Sequence, residues 1–305
     1  MLSFILKRLG LAFLVAVTVS LISFVLLYLS GDPAIALAGE GASSEDIAAI
    51  NVRYGFDRPM VVQYGAWLLS ALTGDFGESY YFKMPVSSLL AERLSVTMLL
   101  GLCGISFALV TAVPLGVLAA MRPNSIIDRF ALLLSVAGQA MPSFWFGLIL
   151  VVIFSIKLRW LPASGSSTWA HFILPTVVLG YYAMPAIMRL TRAGMLEVLS
   201  SDYIRTARAK GASEGRVLFK HALRNAIIPV VSLAAVQMGF MLGGSIVVES
   251  IFALHGAGFL AYESISRNDL PTVQALVLIF SMFYIIFTFT ADVLNAWLDP
   301  RMRSA

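Results

Sequence analysis

The chain has 305 residues, of which 59% are hydrophobic and only 12% are charged. Because soluble proteins carry about 25% charged residues, this composition predicts a membrane protein. The bases behind the formal charge of +4 flank apolar runs instead of forming a stripe with aromatic residues, which argues against a nucleic-acid partner. The single cysteine, Cys103, lies in an apolar run and cannot form an internal disulfide.

Six apolar runs are long enough to cross a bilayer as helices, which takes about 20 residues. They are residues 9–29, 95–120, 130–156, 172–188, 226–248 and 273–297. The first run is longer than a signal-peptide core of about 7–15 residues, so we expect it to remain as an anchor. Pro114 and Pro142 lie inside the second and third runs and predict local kinks.

The distribution of bases predicts the orientation of these runs. Lys7 and Arg8 precede the first run, and Arg301 and Arg303 follow the last. With both termini inside, fourteen Lys and Arg residues lie on the cytoplasmic side and seven lie outside, as the positive-inside rule requires. The predicted fold is therefore an all-α membrane protein with six transmembrane helices and both termini cytoplasmic.

The pattern divides the chain into three parts. They are an N-terminal tail with the first transmembrane helix (1–30), a polar periplasmic segment (31–94) and a five-helix transmembrane core (95–305). In the periplasmic segment, Ser43 followed by acids predicts a helix start. Residues 61–72 form an amphipathic helix pattern whose Tyr64 and Trp67 suit the membrane interface, and residues 74–77 predict a turn.

A basic segment at 189–225 interrupts the core. Between Arg189 and Arg224 it carries eight bases against three acids, which predicts a cytoplasmic position. Its alanines and arginines favour helix, and the single Gly211 in the middle favours a turn between two short helices. Two helices outside the bilayer form a docking surface for a cytoplasmic partner.

Polar side chains inside apolar runs are candidates for lining a solute pathway, because they are costly in lipid. The candidates are Gln139, Ser143, Gln237, Met241 and Ser245, where the methionine suits a loosely selective wall. The alternative is that each polar group bonds a neighbouring helix. Glu249, at the outer end of the fifth run, is a candidate periplasmic gate, and Asp292 is expected to pair with a base such as Arg301.

The sequence offers no basis for catalysis by this chain. It lacks the phosphate-binding pattern Gly-x4-Gly-Lys-Ser/Thr, so ATP hydrolysis is not expected here. Its three histidines, His171, His221 and His255, are far apart in sequence, so no metal site is expected. No nucleophile elbow or pair of catalytic carboxylates is evident either, so we expect a non-enzyme without catalytic residues, metal or cofactor of its own.

The basic segment resembles the coupling loop of bacterial ABC importer permeases, and more narrowly the dipeptide/oligopeptide/nickel permease family. The matching stretches are 31–33, 74–77, 173–175, 202–213, 221–229 and 243–249, so the resemblance covers essentially the whole chain. The general importer pattern has a glutamate and two alanines where Arg205, Thr206 and Ala207 stand, and a proline where Arg224 stands. The peptide branch of the family resembles this sequence in departing from the general importer pattern.

The resemblance implies a permease subunit in the bacterial inner membrane, surrounded by membrane lipid. Its partners would be a second homologous permease, two cytoplasmic ATPase subunits that bind ATP and Mg²⁺, and a periplasmic or lipid-anchored substrate-binding protein. The residues expected to couple to the ATPase are Arg205, Thr206, Ala207, Arg208, Lys210, Gly211, Ala212 and Ser213. The alternative for the bases is that they only fix the topology and contact lipid headgroups.

The expected function is to form half of an import pathway for peptides or peptide-like solutes. Nickel chelates, glutathione or opine-like solutes are alternatives within the same architecture. A secondary transporter would usually show more spans, internal repeats and paired broken helices, and neither a repeat nor a strong intramembrane charge pair is evident in the sequence. An intramembrane enzyme would need a polar catalytic cluster, and none can be assembled from the sequence.

Overall fold

The computed structural model describes residues 2–29, 31–39 and 41–298, and within them every regular element is a helix. In chain order the elements are α1 (Leu2–Leu29), α2 (Pro33–Ala38), α3 (Ser44–Tyr54), α4 (Met60–Leu72), α5 (Val86–Met121), α6 (Ile126–Ala140), α7 (Ser143–Leu150) with a π-helical continuation (Val151–Lys157), α8 (Ala170–Leu199), α9 (Asp202–Ala209), α10 (Glu214–Arg216) with a π-helical continuation (Val217–Ala222), α11 (Leu223–Ala226), α12 (Ile228–Phe252), α13 (Ala257–Ser266) and α14 (Leu270–Leu298). Among the described residues, five helices are long and apolar enough to cross a membrane, and there are six spans when the bent pair at 126–157 is counted as one.

The third span is broken rather than gently kinked, which corrects the expectation of one continuous run at 130–156. The chain turns by 107° between α6 and the helix at 143–157. Pro142 explains the break, because its ring disfavours a helical conformation at the residue before it. Met141 is accordingly extended, with φ −86° and ψ 125°. By comparison, α5 continues through Pro114 without a break.

Two other spans extend beyond their predicted ends. The helix α5 begins at Val86 instead of residue 95, so it crosses the predicted boundary of the periplasmic segment. The helix α8 continues to Leu199 instead of ending at 188, because Ala, Leu, Met and Glu residues that favour helix follow the apolar run. Arg189 and Arg192 therefore lie on a spanning helix, and not in the cytoplasmic loop that the sequence predicted.

The core is built around α5 and α8, which form the largest helix–helix contact among the described elements. Gly180 on α8 lies so close to α5 that an added Cβ would sit 2.5 Å from the carbonyl oxygen of Gly104. Gly116 is similarly close to α8, because a Cβ added there would sit 2.8 Å from the carbonyl oxygen of Met188. Small residues at these crossings let the two backbones approach, as in other membrane helix pairs.

The stretch between α1 and α5, which we call the outer segment, has the local structure that its sequence predicts. A capping box between Ser43 and Asp46 starts α3, and Gly77 donates its N–H to the Asp75 carboxylate within the predicted turn. On α4, Tyr64 and Trp67 pack against Phe24 of α1. These aromatic side chains therefore attach α4 to the first spanning helix.

A buried carboxylate fastens the end of the outer segment to the start of α14. Asp269 accepts hydrogen bonds from the Ser79 and Thr272 hydroxyls and from the Tyr80 N–H, at 2.5–2.8 Å. Burial raises the pKa of the Tyr80 phenol above its ordinary value. The junction joins parts of the chain that are 190 residues apart.

Candidate functional site: the coupling segment and the central cavity

The coupling segment, residues 202–226, has the predicted helix–turn–helix form. Its first helix, α9, ends at Ala209, and the turn that follows contains Gly211, whose φ of +77° is favourable for glycine. Gly211 N–H donates to Arg208 O and Ala212 N–H donates to Ala207 O, at 2.9 and 3.1 Å. This pair of bonds is a Schellman motif, which caps the free carbonyls of α9 and turns the chain sharply.

The coupling segment is anchored to the inner ends of the spanning helices. Ile204 of α9 is fully buried in an apolar cluster with Val117 and Ala120 of α5, Met195 of α8 and residues 217–226 of the same segment. The side chains of α9 on the other faces are exposed, including Arg205, Thr206 and Arg208. The helix α9 is therefore joined to α5 and α8 through one apolar cluster.

Two of the three predicted coupling bases already have partners within the chain. Arg208 forms a bidentate bond with Glu214 across the turn, at 2.9 and 3.2 Å. Arg205 pairs with Asp202 at 3.3 Å, and both of these side chains are well exposed. Lys210 forms no ion pair with any described residue. Phe219, 69% exposed, adds an apolar group to the exposed surface of this segment.

Four of the five predicted pathway residues line one cavity. Gln139 and Ser143 reach it from the break between α6 and α7, and Gln237 and Met241 reach it from α12. The cavity measures about 630 Å³. Its remaining wall is mostly apolar and includes Tyr182 and Phe240, two large side chains that are more than half exposed. We call it the central cavity.

The other predicted pathway and gate residues lie outside the central cavity lining. Ser245 is buried and donates its hydroxyl to Leu242 O. Glu249 is fully buried, and its carboxylate accepts from the Thr97 hydroxyl at 2.7 Å and from the Phe259 N–H at 2.8 Å. The glutamate thus holds the start of α13 against α5 and α12, in a packed junction instead of an open mouth.

The structure reveals ionic contacts whose partners the sequence did not indicate. Asp128, almost fully buried on α6, accepts a bidentate bond from Arg192 of α8 at 2.6 and 2.8 Å. Asp292 pairs with a base, as expected, and this base is Arg8 of α1 at 2.8 Å; Arg301, the base named from the sequence, lies outside the described ranges. A base and an acid in apolar runs were the available signal, but pairing them requires knowing which helices are neighbours.

A polar contact lies at the edge of the central cavity. The Nη1 of Arg189, on α8, donates to Oε1 of Gln139 at 3.1 Å. The side-chain amide of Gln139, a predicted pathway group, is therefore held by the guanidinium of Arg189.

Comparisons with known proteins decide the family. The description "Binding-protein-dependent transport system inner membrane component" matches residues 112–304, and the N-terminal part of such components matches residues 1–101. The chain belongs to this family. It is a permease subunit of an ABC importer, a multi-pass protein of the inner membrane and a component of a transporter that includes ATPase and substrate-binding parts.

Curated relatives extend over the full chain. The glutathione transport system permease protein GsiC of Salmonella paratyphi A is 41% identical over 99% of both chains. The protein of the same name from Escherichia coli K12 is 39% identical over the same shares. Family members of this kind are transporter components, not enzymes.

Solved structures support the fold. A chain of the inward-facing MetNI methionine ABC transporter is similar in structure, with a TM-score of 0.58 and 21% identity; the match covers 69% of this chain and 96% of that chain. An amino acid ABC transporter solved with histidines covers 70% and 94%, with a TM-score of 0.50 and 16% identity. At these identities the likeness concerns the arrangement of helices alone.

Proposed function

We propose that this permease imports short peptides and peptide-like solutes, with glutathione the first candidate. The observation that carries the proposal is the identity of about 40%, over nearly the whole length, to permeases of glutathione transport systems. The wall of the central cavity supports it, because the amides of Gln139 and Gln237 and the hydroxyl of Ser143 can bond a peptide backbone. Nickel chelates and opine-like solutes remain the competing solutes for the same architecture.

In this proposal the chain forms half of the pathway and a second homologous permease forms the other half. The exposed Tyr182 and Phe240 beside the central cavity support this, since an apolar rim of this kind suits a protein partner. Two cytoplasmic ATPase subunits bind ATP and Mg²⁺ and contact residues 205–213. A periplasmic or lipid-anchored binding protein delivers the solute.

In the proposed cycle, ATP closes the two ATPase subunits and draws the coupling segments of the two permeases together. Ile204 passes this movement to α5 and α8 through the cluster that anchors it. Shifting a two-state equilibrium from 1:99 to 99:1 requires about 5.5 kcal/mol of differential binding. A coupling segment fixed by a Schellman motif and by the Arg208–Glu214 pair is stiff enough to transmit such a bias.

The test is transport by the complete complex. The permease is co-expressed with its partner subunits and reconstituted in vesicles with the binding protein, and uptake of labelled glutathione, a dipeptide and a nickel chelate is measured with and without ATP. We expect ATP-dependent uptake of glutathione or the dipeptide. Uptake of the nickel chelate alone, or uptake that does not need ATP, would contradict the proposal.

A further inference from the structure

We propose that Arg189, held by Gln139, is a carboxylate-binding subsite for the transported solute at the edge of the central cavity. This inference rests on the proposed function and deepens it, because it names the chemical group that the permease itself recognises. It begins with the position of Arg189 on α8, a helix that is apolar enough to span the membrane. A guanidinium in such a segment is costly unless it meets water, a counter-charge or a ligand.

The neighbouring arginine shows what a neutralised charge looks like in this helix. Arg192 donates from Nε and Nη2 to the Asp128 carboxylate, and its side chain is only 23% exposed. The ion pairs among described residues are Arg8–Asp292, Arg192–Asp128, Arg205–Asp202 and Arg208–Glu214. Arg189 belongs to none of them, so within the described chain its charge is not compensated.

The contact with Gln139 orients Arg189 without neutralising it. The amide oxygen of Gln139 accepts one N–H at 3.1 Å. A guanidinium carries five N–H donors in a planar fork, so donors remain for a second acceptor. A carboxylate fits that fork with two parallel bonds, and for this reason arginine is favoured wherever carboxylates are recognised.

The central cavity provides the rest of the solute site. Gln139 belongs both to the cavity wall and to the contact with Arg189, so a solute carboxylate held by Arg189 leaves the rest of the molecule beside Ser143 and Gln237. Amide and hydroxyl groups there suit peptide N–H and C=O groups. The ligand class is therefore a peptide or peptide-like solute with a free carboxylate.

The experiment compares solutes that differ only in that carboxylate. ATP-dependent uptake by the reconstituted complex is measured for a dipeptide and for its C-terminal amide, with KM and kcat determined separately. We expect the unmodified complex to prefer the acid. In Arg189→Gln, KM for the acid should rise roughly 10- to 100-fold, the effect of losing a charge-assisted hydrogen bond, with little change for the amide.

Gln139→Glu is the most informative second variant, because it leaves Arg189 in place and gives it a carboxylate within the protein. We expect it to weaken uptake of the acid as Arg189→Gln does, while Arg189→Lys retains part of the preference. Arg53→Gln removes the same charge from the exposed surface of α3 and should leave both KM values unchanged.

Three results would overturn the subsite. The unmodified complex could import acid and amide equally well, which leaves the proposed function standing. Arg189→Gln could impair both solutes alike, which indicates a structural role. The effect could follow the content of anionic lipid in the vesicles instead of the solute, which would assign Arg189 to a lipid phosphate. If the unmodified complex imports neither glutathione nor the dipeptide, the proposed function fails and the subsite with it.

Discussion

At the scale of single residues, the pair Asp128–Arg192 shows how charge is accommodated inside this protein. The carboxylate is 2% exposed, and the pair joins α6 to α8 across 64 residues of sequence. Hydropathy and charge identified both helices from the sequence, but they did not indicate that these two side chains meet. A partner so distant along the chain is fixed by helix packing, which single-residue patterns do not encode.

We expect Asp128→Asn to destabilise the protein by about 3 kcal/mol, because it leaves a partly buried guanidinium without its counter-charge. Thermal unfolding of the purified complex measures the effect as a lower Tm. The control is Asp202→Asn, since the pair of Asp202 with Arg205 is exposed and should contribute less than about 1 kcal/mol. Equal shifts in the two variants would contradict a structural role for the buried pair.

A second residue-scale prediction concerns Asp269, whose carboxylate accepts three hydrogen bonds at the junction of the outer segment and α14. In Asp269→Asn an amide N–H₂ group faces a donor, so at least one bond is lost at a cost of about 1–3 kcal/mol. We expect faster proteolytic cleavage within residues 31–85.

The control for that junction is Asp75→Asn, an exposed position whose carboxylate accepts a hydrogen bond from Gly77 within the turn at 74–77. Its cleavage rate should match that of the unmodified protein. Cleavage of the Asp269 variant at the unmodified rate would show that the outer segment does not depend on this carboxylate.

At the scale of elements, the sequence predicted where helices exist better than where they end or bend. A capping serine, a glycine at a turn and long apolar runs act locally, so α3, the turn at Gly211 and the spans were predictable. Pro142 indicated a kink, but the 107° turn depends on what α6 and α7 pack against. The extension of α8 to Leu199 was missed because the predicted span ended with the apolar run, although residues that favour helix follow it.

The close crossing of α5 and α8 leads us to predict that even a small substitution there lowers stability. In Gly180→Ala, the added Cβ would lie 2.5 Å from Gly104 O and 2.7 Å from the ring of Phe107, so the helices must separate. We expect a loss of about 1–3 kcal/mol or more from overpacking, seen as a lower Tm and a lower yield of folded complex.

Gly10→Ala is the matched control for this crossing. Gly10 is also inside a spanning helix, but an added Cβ meets nothing within 4 Å. We expect no loss of stability there, since alanine favours helix more than glycine does. A Gly180→Ala variant as stable as Gly10→Ala would contradict the close packing of α5 on α8.

At the scale of the whole molecule, α8 connects two separate regions, the coupling segment and the central cavity. The coupling segment lies at the inner ends of α5 and α8, and the central cavity lies between α6, α7, α8 and α12. Because α8 takes part in both, we expect movement of α9 to change the wall of the cavity. The sequence resemblance indicated the coupling segment, and polar residues in apolar runs indicated the cavity, but the shared helix is visible only in three dimensions.

The measurement that tests this account most directly is the number of solute molecules imported per ATP hydrolysed, compared between the unmodified complex and Ile204→Ala. Truncating this buried side chain loosens α9 from α5 and α8 by about 2–5 kcal/mol of packing. Val52→Ala, an equally apolar truncation at an exposed position, serves as the control. We predict that Ile204→Ala assembles and hydrolyses ATP while its import per ATP falls at least roughly tenfold, as expected for a loss of 1.4 kcal/mol or more of coupling. An unchanged ratio in an assembled complex would show that the coupling segment does not transmit the work of the ATPase.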